Sequence, residues 1–170
     1  MVEVEVALIS FDTRTSMPIV ILKEKEGDPK RILPIWIGQP EAFAIQWKLK
    51  GESPPRPMSH DLMKNIIESL DAKVAAVFVH SMVPSQEAEG EGGTYLGQIN
   101  LEANGKTLEI DSRPSDAIAL ALRFEIPIYV AESILEETGF FEDDLKESQK
   151  QETKSSLADL DDETLGRYTV

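Results

Sequence analysis

Asp111-Ser112-Arg113-Pro114-Ser115-Asp116 gathers two carboxylates, two hydroxyls and a guanidinium into one short stretch. An Ala- and Leu-rich run, Ala117–Leu122, follows it and has the character of a helix buried on most sides. Pro114 fits the first turn of such a helix, where a missing N–H costs nothing. Ser112 or Ser115 can accept from the unpaired amides there, and Asp116 carries negative charge where the helix dipole favours it. An Arg beside that terminus makes a phosphate-binding element of Arg113, Ser112 and Ser115. Asp111 and Asp116 flank the turn, and two converging carboxylates can hold Mg²⁺ or Mn²⁺ against a phosphate. The plainer alternative is structural: Asp116 caps its helix and Asp111 pairs with Arg113.

Other groups could join this chemistry. The chain has two histidines, His60 and His80. His60-Asp61 opens a predicted helix. An HD pair is shared with metal phosphohydrolases, but those need further histidines that this chain does not have. Asp61 adds a third carboxylate to Asp111 and Asp116. His80 ends a predicted strand in apolar surroundings; it can act as a general base only if it points into a cleft beside a carboxylate or an Arg. Arg56, held between prolines in Ser53–Pro57, is either an anion contact or an ordinary exposed side chain. Trp36 and Trp47 read as core or subunit-interface residues, and no interleaved basic and aromatic pattern of a single-strand reader is present.

The elements that must position these groups follow from pattern. Residues 2–11 alternate at period two, with Val2, Val4, Val6 and Leu8 on one side. Pro18–Leu22 and Arg31–Ile37 are further strands, and Pro34 in the latter predicts an edge or a bulge. Gly38–Glu41 opens a helix that Gly51 closes. Ser59 is the expected N-cap of a second helix, whose apolar face is Leu62, Ile66, Ile67 and Leu70. A long strand, Lys73–Met82, leads to an exposed loop, Pro84–Gly93. Asn104-Gly105 joins Thr94–Glu102 to Lys106–Ile110 in a hairpin. After the central helix, Pro127 stops it, Ile128–Val130 is a short buried strand, and a last helix lies near Glu132–Glu137. The order predicts an α+β fold: a mostly antiparallel, mixed sheet packed with three to four helices. One domain spans residues 1–139, and 140–170 is an acidic tail, mobile or an oligomer contact.

Several stretches resemble one known family in the right order. SRPSDAIALALR at Ser112–Arg123 with PIYVAESILEE at Pro127–Glu137 resembles the signature of the bifunctional nuclease domain family. RILPIWIGQPEAFAI at Arg31–Ile45 and RPMSHDLMKNIIESLDAKV at Arg56–Val74 resemble it too. The resemblance implies a nuclease that cleaves DNA and RNA with little sequence preference. It would use Arg113 and Arg56 against phosphate. Asp111 and Asp116 would take a divalent ion or orient water, and His60 and His80 are its acid–base candidates.

Composition sets limits on that activity. The formal charge is −14, and phosphate contacts need Lys and Arg. Residues 135–170 hold 11 acidic and 4 basic side chains, and 1–134 hold 20 and 13, so either part is acidic. Nucleic acid must therefore meet a local patch. The absence of Cys excludes disulfides and thiolate metal sites. No apolar run is long enough to span a membrane. Met1–Glu5 lacks the pattern of a signal peptide, so a cytoplasmic protein is expected. The competing expectation is a non-enzymatic oligomeric module, a homodimer or larger, that binds a protein partner or a small anion.

Overall fold

The structure is a computed structural model that describes residues 1–52, 54–84 and 93–141. The first strand, β1 (Val2–Phe11), pairs antiparallel with β2 (Pro18–Glu24), and β2 with β3 (Arg31–Trp36). Helices α1 (Gln39–Leu49) and α2 (Ser59–Ser69) follow. Then come β4 (Lys73–Pro84), β5 (Gly93–Ala103) and β6 (Lys106–Ser112), paired in antiparallel succession. The chain ends its described part with α3 (Pro114–Phe124), β7 (Ile128–Val130), α4 (Glu132–Thr138) and β8 (Phe140–Phe141).

All eight strands form one sheet in the order β6-β5-β4-β7-β1-β2-β3-β8. Among the described strands only β4 and β7 run parallel, so the sheet is mixed and the fold is α+β. Asn104 and Gly105 both have positive φ, 52° and 71°, which the two-residue turn of the β5–β6 hairpin requires. Pro34 lies on β3 beyond the reach of β8, which pairs only with Arg31 and Ile32. Its missing N–H therefore faces an open edge, as the sequence implies.

Helix α3 is the centre of the molecule. Ala117 to Ala121 are at most 3% exposed. The helix packs against α1, α2, β4 and β5, and its alanines let neighbours approach on every side. Its polar residues are held as firmly. Arg123 is 7% exposed; its Nε donates to Asp61 Oδ1 at 2.6 Å, and its Nη1 to the Ala119 and Ala44 carbonyls at 2.9 and 3.2 Å. One guanidinium thus joins α3, α1 and α2 with its buried donors satisfied.

Some expectations shift. The period-two pattern of β1 breaks at a bulge between Val6 and Leu8, so Leu8 turns outward and Ile9 packs on the core. Met58, not Ser59, is the N-cap of α2, because Asp61 Oδ2 accepts the Met58 N–H at 3.0 Å. The expected apolar face of α2 is mostly outside: Leu62, Ile66 and Leu70 are exposed, as is Met63 beside them, and Ile67 packs on the core. The sheet runs two residues past the expected 1–139 boundary, through β8. The acidic tail from 142 and the loop at 85–92 lie outside the described residues.

Replacing Arg123 with Met should keep the packing of the stem but leave Asp61 without its cation. Breaking such a pair is expected to cost about 3 kcal/mol in urea unfolding. A change below about 0.5 kcal/mol, within the range of ordinary surface substitutions, would show that the pair does not hold the helices.

Candidate functional site

The Asp111–Asp116 stretch runs from the end of β6 into α3, and its close fit against the sheet depends on Gly97. A Cβ at Gly97 would lie 2.9 Å from Ser112 O and from Pro114 N. Only a bare Cα on β5 lets the helix entry settle there. Pro114 is the first residue of α3 and Arg113 its N-cap, but neither serine caps it. Ser112 Oγ is buried without a hydrogen-bond partner. Ser115 is 7% exposed, and none of the hydrogen bonds among the described residues involves its hydroxyl.

Arg113 is instead tied by its charge. Its Nε and Nη2 donate to Asp116 at 2.8 and 3.1 Å, and Nη2 also lies 2.8 Å from Glu41 Oε1. The Arg113 side chain is still 64% exposed. Asp116 Oδ1 is also 3.0 Å from His60 Nε2. Burial raises the Asp116 carboxyl, but the bonds from Arg113 and His60 outweigh it and hold it below the usual carboxylate range. An ionised carboxylate only accepts, so His60 Nε2 carries the proton and donates it. The chain of contacts is therefore His60 to Asp116, Asp116 to Arg113, Arg113 to Glu41. The same two carboxylates push the Arg113 guanidinium further toward the charged form.

The expected residues divide between two groups. His60, Asp116 and Arg113 meet, with Ser112 and Ser115 beside them. Asp61 belongs to the Arg123 contact, and its carboxyl is lowered by Met58 N–H and Arg123 against the opposing effect of burial. Asp111 goes elsewhere. It pairs with Gln98, which pairs with Phe78 and that with Tyr129, and the neighbours of this row, Ile99, Val77 and Ile128, are buried under the helices. Asp111 thus lies on the opposite face of the sheet from Asp116, and the two do not converge. Both Asp116 oxygens already have partners. Among the described residues no group of three or more His, Asp or Glu is placed to hold a metal. His80 sits at a bulge in β4 with its Nδ1 3.0 Å from Ser81 Oγ, and no hydrogen bond joins it to the Arg113 group. Arg56 is exposed and makes no ion pair among the described residues.

A cavity of about 320 Å³ opens at this place. Arg113, Pro114 and Ser115 form one wall, the end of β3 from Ile35 to Gly38 another, and Gly93–Tyr95 of β5 a third. The sequence did not single out Glu41 as a partner of Arg113, nor Trp36 and Tyr95 as cavity walls. Glu41 showed only as part of the Gly38–Glu41 stretch that opens α1. Tyr95 OH is fixed by Thr138 Oγ1 of α4 at 3.0 Å.

These features belong to a family of small α+β domains. Residues 20–143 match the model of the Bifunctional nuclease domain. An uncharacterized protein of Mycobacterium tuberculosis is 37% identical over 137 residues, covering 81% of this chain and 76% of that one. Bifunctional nuclease 1 of Oryza sativa subsp. japonica is 28% identical over 120 residues, which cover 71% of this chain and 34% of the rice protein. Bifunctional nuclease 1 of Arabidopsis thaliana is 29% identical over 116 residues, covering 66% and 33%. The chain belongs to the bifunctional nuclease domain family. No helix among the described residues is long and apolar enough to cross a membrane.

Two outcomes test this geometry. Asp61 and Asp116 both have depressed carboxyls, so their stabilisation is present above the unfolded value near pH 4 and is lost as pH falls through their lower folded values. Stability should be flat from about pH 5 to 7 and fall below about pH 4. The fall should be shallower in Asp61→Asn, and an unchanged slope would remove Asp61 from the account. Gly97→Val should displace the α3 entry and cost about 2 kcal/mol, typical of overpacking. A variant as stable as the parent would show that the entry has room.

Proposed function

We propose that the protein is a nuclease that hydrolyses DNA and RNA phosphodiester bonds with little sequence preference, at the cavity where α3 begins. One observation carries the reading. The hydroxyl-bearing Ser115, nearly buried and in no hydrogen bond among the described residues through its hydroxyl, lines the cavity at a helix N-terminus beside an exposed guanidinium. A hydroxyl at a cavity wall without a protein partner has its donor left for a ligand oxygen. A phosphate suits hydroxyl and guanidinium donors together with the positive end of a helix dipole. The bonds from Arg113 to its two carboxylates run through Nε and Nη2, which leaves the Nη1 donors for a phosphate oxygen.

In this reading Arg113 neutralises the charge that grows on the phosphoryl oxygens and Ser115 donates a hydrogen bond to one of them. His60 orients Asp116, and Asp116 orients Arg113. His60 is a positioning residue here, since its Nε2 proton is committed to Asp116. Family membership supports the reaction class, since the plant relatives are named bifunctional nucleases. Asp111 and Asp116 do not fit a shared Mg²⁺ or Mn²⁺, so no step is derived through a metal.

A second reading is a non-enzymatic module that assembles as a homodimer or larger. The exposed row Leu62, Met63, Ile66 and Leu70 on α2 favours it. An oligomer in light scattering with no cleavage of any substrate would support it.

The direct test is cleavage of labelled single- and double-stranded DNA and RNA with Mg²⁺, Mn²⁺ or EDTA. Arg113→Ala should slow cleavage about 100-fold, the usual effect of losing one transition-state donor. Equal rates for wild type, Arg113→Ala and Asp116→Ala, all folded, would move the activity away from this cavity.

A further inference from the structure

Trp36 is the feature of the cavity that phosphate chemistry leaves unused. It is 50% exposed on β3 next to buried Ile35, where the sequence reads it as a core or subunit-interface residue. Its indole is not free to turn. Nε1 donates to Asp12 Oδ2 at 3.2 Å, and Asp12 Oδ1 accepts the Arg14 and Thr15 amides at 2.9 Å each. The turn after β1 thus fixes a carboxylate, and the carboxylate fixes the edge of the ring. A large aromatic side chain exposed to water and held in one orientation has lost its entropy before any ligand arrives.

Trp36 and Ser115 line the same cavity, together with Arg113, Met17 and Tyr95. Its volume of about 320 Å³ suits one nucleotide and is far too small for a base pair with its backbone. We infer that the cavity takes a single unpaired nucleotide, its base stacked on Trp36 and its phosphate at Ser115 and Arg113. The inference rests on the phosphate site proposed above and adds the form of the substrate. A paired base would first have to leave its stack, which costs a few kcal/mol, so single strands and loops are the substrates and duplexes are poor ones. Stacking on an aromatic face is tolerant of base identity, so sequence preference stays weak.

The experiment uses the full chain with Trp47→Phe, which leaves Trp36 as the sole tryptophan. Adenosine 5′-monophosphate should quench its emission, and ribose 5-phosphate, which has the phosphate without the base, should not. Calorimetric titration of the same nucleotide into wild type and Trp36→Ala gives the affinity without any change at Trp47. Trp36→Ala should bind about 10-fold more weakly and Trp36→Phe nearly as well as wild type, as expected for one stacked base. A tetranucleotide in place of the free nucleotide separates a strand site from a mononucleotide site: tighter binding of the tetranucleotide is the expected result. Single-stranded substrate should be cut faster than a duplex of the same sequence, with that preference lost in Trp36→Ala. Unquenched emission and equal affinity in Trp36→Ala would overturn the nucleotide pocket even if cleavage is found. Quenching without cleavage of any substrate would overturn the nuclease reading and leave the pocket standing.

Discussion

Two neighbouring side chains hold α3 in place. His60 meets Asp116 near the start of the helix, and Asp61 meets Arg123 near its end. The two contact points are seven residues apart, two turns and about 10 Å along the axis. The start of α2 therefore grips α3 at both ends, and neither slide nor rotation is possible without breaking an ion pair or a charge-assisted bond. Asp61 has a second duty, since its other oxygen accepts the amide that begins α2. The helix that supplies the grip is started by the group that grips. Everything in the cavity depends on this arrangement, because Arg113 and Ser115 are carried by the first turn of α3.

Electrostatics bears on how an acidic chain could hold the phosphate proposed for it. Arg113 is countered by Asp116 and Glu41, which keep its guanidinium in one orientation. That arrangement lowers the field seen by a distant polyanion and makes long-range steering weak. What remains is a short-range set of fixed donors, which under the proposed reading would act only on a phosphate already at contact distance. A second ion cluster works in the same way at the far edge of the sheet. Arg31 joins buried Glu24 of β2 to Glu132 of α4 at 2.6 and 2.7 Å. It sets α4 against the sheet, and α4 in turn fixes Tyr95 through Thr138.

Local signals were legible in the sequence wherever backbone chemistry decides the outcome. Pro114, Pro127, Asn104-Gly105 and Pro34 each mark a helix start, a stop, a hairpin or an edge that the structure contains. The buried character of α3 showed in its alanines. What the sequence did not reveal is which charge meets which. Asp111 and Asp116 are five residues apart, yet a strand and a helix send them to opposite faces of the sheet. Arg123 and Asp61 are far apart in the chain and meet. The bulge in β1 moved Leu8 outward because one extra residue inverts every later position of a strand. Trp36 shows the same limit, since a strand residue in apolar surroundings can face a cavity as readily as a core.

The β5–β6 hairpin has a use of its own. β5 begins at the cavity with Gly93–Tyr95 and ends at Ala103, beside the Asn104–Gly105 turn. At 3.3 Å per residue the turn lies roughly 26 Å from Tyr95 along the strand. The turn residues are exposed, and a Cβ at Gly105 meets nothing within 4 Å. A fluorescent reporter domain spliced in at that point would be joined to the cavity by one continuous strand and would not crowd it. The fold thus offers a ready position for building an optical sensor of whatever the cavity holds.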